Sequence, residues 1–208
     1  QGLSHADDFH YVEAAIEVAD GGPAAFLRGL DTIYENRLSI VFPLAAGFAV
    51  AGVREGTVEA VALAFSLGAI LCAYGLGAAL HSRRAGLWAA ALAAVVPQEV
   101  WLGTSILPDT PIPFYMGLSL LAFACAARHG PGDRRAAWGY AAAGAAAFLA
   151  FEARATCGVL LPILFAAAVW SLRRDRRALW IPPAAFAASV LLLWSVLGAV
   201  SGDPLVQW

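Results

Sequence analysis

Long apolar runs broken by short polar turns set the pattern of this chain. A membrane-spanning helix needs roughly 17–25 mostly apolar residues. Five runs reach that length: Ala60–Leu80, Ala85–Leu102, Pro111–Ala127, Ala155–Leu172 and Ala178–Val200. A sixth, Ala136–Phe151, is shorter and alanine-rich, but charged segments bracket it and it is counted as a span. Leu38–Val53 is apolar, too short to cross comfortably and interrupted by Pro43, so it reads as a helix lying at or dipping into the interface. The first residues show a different period. In Asp7-Asp8-Phe9-His10-Tyr11-Val12-Glu13, continuing to Val18, the residues Phe9, Val12, Ile16 and Ala19 recur at helical spacing, with His10, Glu13 and Glu17 on another face. Ser4 can cap that helix, with Asp7 three positions on.

The predicted fold is therefore all-α: a polytopic transmembrane helix bundle of about six spans, with amphipathic interfacial helices in the first outer loop. Residues 1–57 form that loop and 58–208 the bundle. Composition agrees. The chain is 61% hydrophobic and 13% charged, with mean hydropathy +0.71. Soluble domains carry about 45–50% apolar and about 25% charged residues. The chain starts at Gln1 and ends at Trp208 after Ser-Gly-Asp-Pro, and reads as an excerpt of a longer membrane domain. Cys72, Cys125 and Cys157 lie in or beside apolar runs without a CxxC, and read as small buried residues rather than a disulfide or zinc framework.

Charge fixes the orientation. All thirteen basic residues other than histidine are arginines, and nine lie in three turns: Arg83–Arg84, then Arg128, Arg134 and Arg135, then Arg173, Arg174, Arg176 and Arg177. With six spans these turns share one face, which the positive-inside rule makes cytoplasmic. His81 and His129 fall in these turns and read as solvated. The opening acids, Glu35, Asp109 and Glu152 then meet on the opposite, outer side.

Three outer segments carry candidate chemistry. The acidic face of residues 7–18 is either a solvated surface or part of a site. Asp109, set among Pro108, Pro111 and Pro113, is an ionisable group at a span's edge, a position that suggests function by default, and it also suits a helix cap. Glu152 and Arg154 occupy a short outer link. They form either an ion pair across the turn or, through Arg154, a guanidinium facing a phosphate. No GxxxxGK[ST], GxSxG or HExxH pattern is present.

Taken in order, these segments resemble the polyprenyl-phosphate-sugar-dependent glycosyltransferases of the GT-C superfamily, which include protein O-mannosyltransferases and lipid A aminoarabinose transferases. The resemblance covers nearly the whole chain and matches the N-terminal part of such enzymes after their first membrane helix. Asp7-Asp8-Phe9-His10-Tyr11-Val12-Glu13 is similar to the family's acidic Asp-Glu/Asp-x-x-Tyr-x-Glu element. Glu35 sits like the Glu of its Glu-Lys-Pro-Pro element, and Ser82–Ala90 is similar to its Gly-Arg-Arg-Ala-Gly-Leu turn. Pro108–Tyr115 resembles its Asp-x-Pro-Leu-x-Phe-Phe element, and Arg154, eight residues before Pro162, takes the place of a family lysine. The sequence departs at Asn36-Arg37-Leu38, where the family has Lys-Pro-Pro, and at Glu59, where it has arginine.

The resemblance implies transfer of a sugar from a polyprenyl-phosphate donor to an acceptor (protein, lipid or glycan) on the non-cytoplasmic face, with inversion. Asp7 is expected as general base and Asp109 as the second catalytic residue, positioning the acceptor or a metal. Asp8, His10, Tyr11, Glu35, Arg37 and Arg154 are expected to bind substrate. Asp8 and Glu35 can hold a divalent metal ion, although no ligand spacing demands one. The expected location is a bacterial inner membrane, with the site on its periplasmic side. The expected partners are donor and membrane lipid, not nucleic acid. A transporter or permease and a non-catalytic membrane scaffold are the alternatives. Against transport, the charges lie at span ends rather than at the bilayer midplane.

Overall fold

A computed structural model describes residues 6–22, 37–96, 107, 109–130, 132–171 and 176–201. Among these the chain is all-helical, without a strand. The elements are α1 (Ala6–Gly21), α2 (Leu38–Ala51), α3 (Glu55–Leu80), α4 (Arg83–Val95), α5 (Ile112–Ala126), α6 (Arg134–Ala153), a 3-10 turn (Ala155–Val159), α7 (Leu160–Ser171) and α8 (Arg177–Ser201).

One described helix, α3, is both long and apolar enough to cross a bilayer. Its 26 residues span about 39 Å at 1.5 Å each, against a hydrocarbon core of about 30 Å. The other predicted spans are shorter or more mixed as helices. α4 has 13 residues, and residues 97–102 of its predicted span lie outside the described set. α5 has 15, and the run from Ala155 is split into the 3-10 turn and the 12 residues of α7. Pro162, in the first turn of α7, suits a helix start. The helices themselves therefore do not establish a six-span count.

Two apolar cores organise the helices. In the first, α1 and α2 pack with the start of α3, through Tyr11, Ala15, Ile40, Leu44, Phe48 and Val58. In the second, α3, α5, α6, α7 and α8 meet around Phe65, Tyr115, Phe123, Tyr140 and Leu160. Small residues allow close approach: a Cβ on Gly144 of α6 would stand 2.1 Å from the Pro182 carbonyl oxygen of α8, and one on Gly86 of α4 would stand 2.5 Å from the Tyr74 carbonyl oxygen of α3. Cys72 and Cys157 are buried, as expected, whereas Cys125 faces outward from α5.

The stripe of α1 is rotated from the predicted one. Phe9 and Ala19 are exposed, while Tyr11, Ala14, Ala15 and Val18 are buried against α2. The large ring of Tyr11 supplies apolar area that its polar hydroxyl conceals in a simple pattern. His10, Glu13 and Glu17 do form an exposed face, and His10 Nδ1 lies 3.9 Å from Glu13. Ser4, the expected cap, lies outside the described residues.

The two ends of α6 have opposite character. At its start Asp133 caps the helix, accepting from the Arg135 N–H at 2.8 Å. His129 Nδ1 lies 3.3 Å from Asp133, so this histidine has a side-chain neighbour as well as solvent. Arg177 at the start of α8 donates to the Asp133 carbonyl at 3.4 Å, joining two arginine turns at this end. About 30 Å away along the helix, the other end carries Glu152 and Arg154.

Candidate active site

The turn before α5 and the link after α6 converge. Leu107 and Thr110 close the turn: the Thr110 N–H donates to the Leu107 carbonyl at 3.0 Å, and the Leu107 N–H to Thr110 Oγ1 at 3.2 Å. Asp109 projects from this turn. It does not cap α5, whose N-cap is Pro111 without a side-chain bond. Its carboxylate is instead ion-paired and hydrogen-bonded to the Arg154 guanidinium, 45 residues later. Both side chains stay about half exposed, at 42% and 51%. A phosphate can therefore reach this arginine.

Of the two readings of the outer link, the Glu152–Arg154 ion pair is not the one formed: Arg154 pairs with Asp109. The Glu152 carboxylate accepts the backbone N–H of Leu38 on one oxygen, and that of Ser39 at 2.7 Å on the other. Helix starts leave N–H groups unmet, and Arg37, the N-cap of α2, supplies no side-chain bond. Glu152 thus caps α2 from a different helix. It lies one residue beyond the predicted span 136–151. Burial pushes its carboxyl up to about 7, while the hydrogen bonds from Ser39 and Leu38 and the charge of Arg37 pull it down.

A second contact secures the same turn. Pro43 lacks the N–H that would reach back four residues to the Ser39 carbonyl. The buried Tyr115 hydroxyl of α5 donates to that carbonyl at 2.9 Å. Arg37, next to the clasped residues, donates through Nη1 to the buried Tyr11 hydroxyl at 2.9 Å. Tyr11, Arg37, Asp109 and Arg154 are thus drawn from α1, the start of α2, the turn before α5 and the link after α6 to one end of the helices. Ser39, Tyr115 and the capping role of Glu152 were not anticipated from sequence. A proline at position 43 and an arginine at an N-cap position are the signals that a carbonyl and two N–H groups need outside partners.

The remaining expected site residues are only partly placed. Asp7 and Asp8 lie in the first turn of α1, with side chains outside the description. His10 sits on the exposed face of that helix, and Glu35 falls outside the described residues. Among the described residues no group of three or more His, Cys, Asp or Glu side chains could hold a metal ion.

Residues 39–199 match the family model described as dolichyl-phosphate-mannose-protein mannosyltransferase. No curated protein and no solved structure matches the chain. The matched stretch includes Asp109, Tyr115, Glu152 and Arg154; Asp7, Asp8, His10, Tyr11, Glu35 and Arg37 precede it.

Proposed function

The chain belongs to the dolichyl-phosphate-mannose-protein mannosyltransferase family, and from that premise we propose that it forms the donor-binding end of a membrane glycosyltransferase that uses a polyprenyl-phosphate sugar. The family is membrane-integral, and this reading takes the apolar runs as about six spans in a bacterial inner membrane, with the site on the periplasmic side. The observation that carries the proposal is the exposed Asp109–Arg154 pair, built from two segments inside the family match.

The proposed chemistry is a single displacement. An acceptor hydroxyl or amine attacks the anomeric carbon as the bond from that carbon to the phosphate oxygen breaks, and the sugar inverts. Asp7 takes the acceptor's proton; general bases of this kind contribute roughly 10²–10⁴-fold. The electron pair leaves with the polyprenyl phosphate, whose growing charge is met by Arg154 and Arg37. Asp109 holds Arg154 in place until the phosphate competes for it, and then faces the acceptor. Asp8, His10 and Glu35 complete the pocket around the sugar, while the buried Tyr11, expected to bind substrate, instead holds Arg37 through its hydroxyl. A divalent ion held by Asp8 and Glu35 would add positive charge near the phosphate, but no step here depends on it.

The test uses membranes carrying the full-length protein and labelled polyprenyl-phosphate sugars. Wild type is expected to consume a donor. Asp7→Asn at equal protein level should lose about 10²–10⁴-fold, and Arg154→Ala about 10²–10³-fold, by analogy with removing a donor to a developing anion. If wild type uses no donor in a full panel, the transferase reading fails and transport or a scaffold role replaces it. If Asp7→Asn is as active as wild type, the base assignment alone fails.

A further inference from the structure

The bonds at Leu38 and Ser39 have no part in the chemistry above, yet each partner in them is a sequence neighbour of one of its two arginines. Arg37 precedes the clasped pair, and Arg154 follows Glu152 by two residues. The usual cap for a helix start is a short polar side chain at the N-cap itself. Here that position holds a cation, and the capping carboxylate arrives from α6, 114 residues away. A local Asp or Asn would satisfy the same N–H groups more simply, but it would displace Arg37. The Glu152 arrangement satisfies them and keeps a guanidinium at the helix start. Because both carboxylate oxygens are engaged, α2 is tied to α6 in orientation as well as distance. Tyr115 adds a third tie to the same turn from α5.

We propose that Glu152 is a positioning residue, which by clasping the start of α2 sets Arg37 at the same end as the Asp109–Arg154 pair, so that both guanidiniums act on one lipid phosphate. This role rests on the transferase reading. It assigns to Glu152 a function for which the alternative is simple support of the fold, and the two differ in how its loss combines with loss of Arg37. A misplaced charge loses what a removed charge loses, so removing the charge makes the misplacement silent. A purely supportive residue would instead add its own loss.

The experiment compares Glu152→Gln, Arg37→Gln and the double variant in the full-length protein, by initial rate against donor concentration. Gln keeps the shape but places an NH₂ where one N–H needs an acceptor. Amide exchange at Leu38 and Ser39 is followed in parallel. The expected result is faster exchange in Glu152→Gln and a fall in kcat of about 10²-fold, the scale of an ångström-sized misplacement. The double variant should be no slower than Arg37→Gln. Glu152→Asp, which retains a carboxylate, should recover part of the rate, and it carries the same comparison if Glu152→Gln does not fold. Unchanged exchange would overturn the clasp. Multiplying losses in an active enzyme would overturn the positioning role and leave the transferase reading intact. Wild type inactive with every donor would remove the transferase reading and this role with it, whatever the exchange shows.

Discussion

Tyr115→Phe deletes one oxygen, and the structure sets what that oxygen is worth. Its hydroxyl is buried and donates to the Ser39 carbonyl at 2.9 Å. In an ordinary helix the N–H of residue 43 would serve that carbonyl, but residue 43 is proline. Removing the hydroxyl leaves a buried acceptor without its donor, which costs about 1–3 kcal/mol. For a chain of about 200 residues each kcal/mol shifts the midpoint by about 2–4 °C, so the melting temperature in detergent should fall by about 2–12 °C. Pro43 itself provides the control. Pro43→Ala restores the N–H, and Ser39 then has a second donor. In that background Tyr115→Phe should cost only the net value of an ordinary hydrogen bond, about 0.5–1.5 kcal/mol. The assay is a thermal unfolding cycle on the four proteins, followed by loss of monodisperse material on size exclusion. Equal drops in both backgrounds would refute the reasoning, because the hydroxyl would then be doing something unrelated to the proline.

Gly144→Ala places a methyl 2.1 Å from the Pro182 carbonyl oxygen, roughly 1.3 Å inside ordinary contact, so α6 and α8 must part; Gly56→Ala meets nothing within 4 Å. The first should lower the melting temperature, by at least the about 1–3 kcal/mol typical of overpacking; the second should leave it equal or raise it, since alanine is the better helix former. Glu152, with its carboxyl raised from 4.5 to about 7 chiefly by burial, contributes stability that is fully present below about 4.5 and lost as pH rises through about 7. Melting in detergent should therefore show a downward step across that window in wild type and none attributable to this group in Glu152→Gln; identical profiles would count against a buried titrating carboxyl.

How much of this was legible in the sequence depends on the distance over which each feature is determined. The all-helical class follows from local runs, and Asp109 and Arg154 are both visible as candidates. Their pairing is not, because each has a plausible local use: Asp109 as a cap and Arg154 as a partner for Glu152. The stripe of α1 differs from the expected one because Tyr11 is absent from the apolar set Phe9, Val12, Ile16 and Ala19, although most of its surface is apolar. The run from Ala155 read as one span because hydropathy does not register where backbone leaves the α conformation, and Pro162 was the better marker of where α7 begins. The clasp at Leu38 and Ser39 lies furthest from local determination. Yet its need was written at positions 37 and 43, where an arginine supplies no cap and a proline supplies no donor. Those two residues leave groups that must be met from elsewhere, and the partners come from α6, whose end carries Arg154, and from α5, which follows the turn of Asp109. The bonds that complete the helix are thus also bonds that set the geometry of the candidate site. For that reason stability and donor use must be measured on the same variants: a substitution at Glu152 or Tyr115 that shifts one without the other separates the two roles that the fold has placed on a single turn.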